Sequence, residues 1–87
     1  MNLTVASLIP ATLIARRAFY ALGRQRVYTN SYKDCHTVKA YRTGSNNTDT
    51  EFADKVSEVL WMAGHRNTTW HVTGGERSGA IIIRIPK

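Results

Sequence analysis

Ala80-Ile81-Ile82-Ile83-Arg84-Ile85-Pro86 is the stretch that decides the fold. Three consecutive isoleucines place apolar side chains on both faces of an extended segment, which suits a strand paired on both edges better than an exposed edge. Pro86 closes it. Just upstream, Thr69, His71 and Thr73 alternate with Trp70 and Val72. That period of two predicts a strand over 68–73. Gly74-Gly75-Glu76-Arg77-Ser78-Gly79 lies between the two runs and carries turn chemistry, so the pair reads as a hairpin.

Working outward, Thr48-Asp49-Thr50-Glu51 has the form of a capping box, and Phe52, Ala53, Val56, Val59, Leu60 and Ala63 follow at helical spacing. Gly64 is a natural stop, so a helix is predicted over 49–63. Gly44 to Asn47 reads as the loop before it. His36 to Thr43 alternates, with Val38 and Ala40 opposite Thr37, Lys39 and Tyr41, which predicts a strand over 37–43. A further strand is predicted over 26–29. Pro10 suits the first turn of a helix and Gly23 its end, so residues 10–22 form the first helix. Ala11, Ile14, Ala15, Ala18, Phe19, Ala21 and Leu22 share its apolar face, while Arg16, Arg17 and Arg24 gather on the other side with Leu13 and Tyr20.

The order α-(β)-β-α-β-β makes this an α+β domain with a three- to four-stranded mixed sheet and two helices packed on it. If strands 37–43 and 68–73 are parallel, the intervening helix crosses over right-handedly. The Ile81–Ile83 strand then inserts between them, antiparallel to both. With 87 residues the chain has room for one domain, with residues 1–9 as an irregular lead.

Composition narrows the chemistry. The chain is 43% hydrophobic and 21% charged, outside the range of intrinsic disorder. Its lone cysteine, Cys35, excludes an internal disulfide and agrees with a reducing compartment. The apolar run from Val5 to Ala15 falls short of the ~20 residues that span a bilayer, and its cations follow rather than precede it, unlike a secretory signal. The protein is therefore expected in the cytoplasm, with no membrane partner.

Lys and Arg number 12 against 6 acids, giving +6, but the surplus is uneven. Residues 1–47 carry seven cations and one acid, residues 48–64 four acids and one lysine, and residues 65–87 four cations and one acid. An acidic helix is thus flanked by two basic segments.

No catalytic constellation emerges. Cys35 and His36 are adjacent in an extended segment and point apart, so they cannot act as nucleophile and base. Cys35, His36, His65 and His71 lack the paired spacing of metal ligands, and neither glycine-rich loop matches a P-loop or dinucleotide fingerprint. The reading is non-enzymatic, with no cofactor and no metal.

Cations and rings do interleave. Arg16, Arg17, Arg24, Arg26, Lys39, Arg42 and Arg77 supply phosphate-binding charge, and Tyr28 and Tyr41 supply stacking surface. A small basic nucleic-acid-binding module is the expectation. The rival is a protein-interaction module, either a small inhibitor or adaptor of phage or mobile-element type or a homodimer. It would use Trp61 with Asp54 and Glu58 on the acidic helix face.

Overall fold

In a computed structural model, which describes residues 9–87, the chain folds in the order helix, hairpin, helix, hairpin. Helix α1 spans Ala11–Ala21, strand β1 Val27–Ser31, strand β2 Cys35–Tyr41, helix α2 Asn46–Met62, strand β3 Thr69–Thr73 and strand β4 Ala80–Pro86. The expected irregular lead, 1–9, lies outside the described residues except for Ile9.

The sheet order is β1-β2-β4-β3. As the isoleucine run requires, β4 is inserted between β2 and β3. Lys39 and His71 both pair with Ile82, and Val38 and Trp70 both pair with Ile83. β2 and β3 therefore run parallel without touching, linked by α2. Every adjacent pair is antiparallel, so the sheet is antiparallel throughout rather than mixed. β1 adds to the outer edge of β2, with Val27 opposite Ala40.

One sheet face is covered. Val27, Val38, Ala40, Ile81, Ile83 and Ile85 point to the helices and form the core with Ala15 and Phe19 of α1 and Ala53, Val56 and Leu60 of α2. Burying each large apolar side chain stabilises by about 1.5–3 kcal/mol, so this single layer carries most of the hydrophobic driving force. Both helices end as their glycines predict. Gly23 and Gly64 take φ of 85° and 100°, and the following N–H groups of Arg24 and His65 donate back to Phe19 and Leu60 at 3.0 and 2.9 Å.

Several boundaries depart from the sequence reading: β1 runs over Val27–Ser31 rather than 26–29, and β2 begins at Cys35 rather than 37. α2 begins at Asn46 rather than 49, and its cap is Ser45, whose hydroxyl accepts from the Thr48 N–H at 3.4 Å. The Thr48 capping box does not form, because Asp49 lies in the first turn as a fully buried anchor. Strand β2 ends at Tyr41 rather than 43: the Arg42 N–H still donates to the Gly79 carbonyl at 3.1 Å, but the Thr43 N–H leaves the sheet to bind that anchor. Finally, Val59, Ala63 and Ala21, all assigned to apolar faces, are exposed. A small core accepts a narrower stripe than periodicity offers.

Candidate nucleic-acid interface

Among the described residues, no helix covers the other sheet face. Alternation and register place Tyr28, Lys39, Ile82 and His71 in one row across the four strands, and Asn30, Thr37, Arg84 and Thr69 in the next. Tyr41, Ala80 and Thr73 form a third row at the end where α2 starts. Lys39, Arg84 and His71 are on this face, and no Asp or Glu occupies a strand position on it. Among the described residues, the one carboxylate that pairs with its cations is Asp34 of the β1–β2 turn, an exposed contact 3.8 Å from Arg84.

The centre of interest is Tyr28, Lys39 and Tyr41. The two rings meet edge to face at 6.0 Å with an interplanar angle of 83°, and Lys39 Nζ lies 5.7 Å from the Tyr28 centroid. The rings remain 44% and 43% exposed, so their mutual contact leaves surface for a ligand. Cross-strand packing explains the cluster: Tyr28 faces Lys39 directly, and Tyr41 is the diagonal neighbour. Arg26 immediately precedes β1 and lies near Tyr41. Together with Gly23, Arg24 and Gln25, these two residues line a cleft of about 280 Å³. Arg77 is exposed in the 74–79 loop at the same end of the sheet.

The remaining basic residues lie elsewhere. Arg16 and Arg17 are on α1, on the opposite side of the sheet from the tyrosine pair. Arg16 donates to the Tyr20 hydroxyl at 3.3 Å. The Arg24 guanidinium sits 5.7 Å from the Phe52 ring, bridging the two helices. Arg42 is committed internally. Its Nε donates to Asp49 at 2.8 Å and its Nη1 to the Gly74 carbonyl at 2.9 Å, and only 9% of its side chain is exposed. It is a bolt between β2, α2 and the β3–β4 loop, and its charge is neutralised.

Asp49 explains the bolt. It also accepts from the Thr43 N–H at 2.7 Å and the Thr43 hydroxyl at 2.8 Å. Burial alone would raise its pKa, but these donors and Arg42 outweigh burial and hold it below the ordinary carboxylate value. Sequence patterning gave no sign of this, because a buried Asp and an exposed helix-start Asp look alike in one dimension.

Trp61, Asp54 and Glu58 are exposed on α2. Trp61 is 51% exposed and carries Arg66 over its ring at 4.4 Å. Cys35 is buried and His36 is hydrogen-bonded to Ser31 at 2.7 Å, so the two do not pair. Among the described residues, no group of three or more His, Cys, Asp or Glu could hold a metal ion, and no helix is long and apolar enough to cross a membrane.

Sequence reasoning grouped Thr37 with Lys39 and Tyr41 but missed His71 and Arg84 as members of the tyrosine face. The alternation of 69–73 was visible, but only the strand order brings that alternation beside Lys39. No family model, curated protein or solved structure matches the chain.

Proposed function

We propose that this domain is a non-enzymatic module that binds single-stranded nucleic acid on the open face of its sheet. The observation that carries the proposal is the exposed Tyr28–Lys39–Tyr41 cluster on a face without strand carboxylates. Unpaired bases stack on the two rings while Lys39, Arg26, Arg84 and Arg77 neutralise phosphates along the strand. A four-stranded sheet backed by two helices is rigid enough to hold such rings in place, a strategy common to RNA-binding sheets. Bases inside a duplex cannot reach a flat platform of this kind, so single strands are preferred.

Arg16 and Arg17 are on the far side of the sheet and contribute only long-range attraction. Arg42, bound to Asp49, contributes structure rather than contact.

The test is fluorescence anisotropy with dye-labelled single-stranded and duplex DNA and RNA across a salt series. The expected result is a single-strand complex that weakens steeply with salt and loses about 1–3 kcal/mol for each of Tyr28→Ala and Tyr41→Ala. Absence of a salt-sensitive complex at micromolar protein, or tyrosine variants that bind like wild type, refutes the assignment.

A further inference from the structure

We infer that the outer face of the helix layer is a self-association surface on which a second copy of the chain docks helix on helix about a two-fold axis. The surface is separate from the tyrosine face and leaves it free.

Its charge is divided between the two helices. The only charged residues of α1 are Arg16 and Arg17, and Leu13 and Tyr20 flank Arg17 on the outer side. On α2 the outer side carries Glu51, Asp54 and Glu58 with one lysine, Lys55, and ends in Met62, which is 77% exposed. A basic strip and an acidic strip thus lie side by side on one layer, each with an apolar residue at matching height. That is the condition for self-complementary pairing: the same patch satisfies itself when turned over.

The heights follow from the fold. α1 ends, and α2 begins, at the Tyr41 end of the sheet, so the helices are antiparallel. Pro10, Ala11 and Thr12 at the start of α1 line one pocket with His65, just past the end of α2, while Arg24, just past α1, reaches the Phe52 ring. Arg17, midway along α1, thus lies beside the turn of α2 that holds Glu58, and Leu13 beside the turn that holds Met62. A two-fold axis in the plane of contact, parallel to the helices and midway between them, lays α1 of one copy on α2 of the other without changing level. Arg17 then faces Glu58 and Leu13 faces Met62, each twice. A two-fold axis across the helices would instead set α1 on α1 and arginine against arginine, which charge repulsion disfavours.

Sedimentation equilibrium at low salt, from about 5 to 200 μM protein, tests the arrangement. Wild type is expected to move toward twice the chain mass. Arg17→Glu and Glu58→Arg should each raise the dissociation constant at least about tenfold, because each places like charges opposite one another twice. An equimolar mixture of the two variants should associate again, since both contacts then join opposite charges. The same recovery is expected when both changes are made in one chain. Met62→Lys should also weaken association, with an unchanged circular dichroism melt confirming that the domain remains folded. A wild type that stays monomeric throughout, single reversals that associate undiminished, or a mixture that fails to recover overturns the inference.

Discussion

Replacing Arg42 by Met removes the guanidinium but keeps most of its aliphatic stem, and so isolates the buried bolt. In the native protein the Asp49 carboxylate accepts three hydrogen bonds, from Arg42 Nε and from the N–H and hydroxyl of Thr43, at 2.7–2.8 Å. A hydrogen bond to a charged group contributes about 1.5–3 kcal/mol, and stripping a buried charge of its partner costs about 3–5 kcal/mol. The two Thr43 donors survive in the variant, which places the loss near the lower bounds, about 2–3 kcal/mol. Small domains have about 5–15 kcal/mol in all, so thermal unfolding followed by circular dichroism should show a melting temperature lower by about 10–20 °C. Acid supplies a second reading. The Asp49 pKa is lowered below 3.8 in the folded state, so its contribution is complete above 3.8 and is lost as pH falls through the folded value. Without Arg42 the folded pKa is depressed less, so the gap between wild type and variant should narrow as pH drops below 3.8. Adding Asp49→Asn to the variant should cost less than Asp49→Asn in wild type, because the two residues act on one contact. A variant within about 0.5 kcal/mol of wild type at neutral pH, or a gap that does not narrow in acid, refutes the reasoning.

Leu60→Ala should destabilise by about 2–5 kcal/mol in urea unfolding, whereas Val59→Ala, one residue away and 42% exposed, should stay within about 0.5 kcal/mol. Equal effects would contradict the helix orientation. Gly79→Ala would drive its Cβ onto the Thr73 carbonyl oxygen across the hairpin neck, costing at least about 2 kcal/mol by thermal melting. Cys35 is 7% exposed, so a thiol reagent should label it slowly in native buffer and rapidly in denaturant, and rapid native labelling would count against its packing.

Much of the architecture was legible in the residues because local rules and the final fold agree. The Ile81–Ile83 run demanded a strand with neighbours on both sides, and the structure supplies β2 and β3. Gly23 and Gly64 ended their helices for the steric reason that an L side chain is strained at such φ values. The beginning of α2 was misplaced for an equally physical reason. Ser45 and Thr48 are both competent caps, and the choice between them depended on where Asp49 had to lie. Asp49 in turn is held by Thr43 and Arg42, six and seven residues upstream in the loop before the helix, a contact that neither strand nor helix periodicity encodes.

The candidate interface divides along the same line. From the sequence alone came the residue types, namely the arginines, the lysine and the tyrosines, and the period of two that puts Lys39 and Tyr41 on one side of their strand. Alternation sorts a strand's residues into two sets, but it does not say which set is covered or which strand lies next door. Tertiary structure decided both. It laid the helices over Val38 and Ala40, left Lys39 and Tyr41 facing outward, and brought Tyr28 against them through the β1–β2 register. It also withdrew Arg42 into the interior and turned Arg16 and Arg17 to the far side of the molecule. Composition counts charges, and only folding assigns each one a partner or a surface.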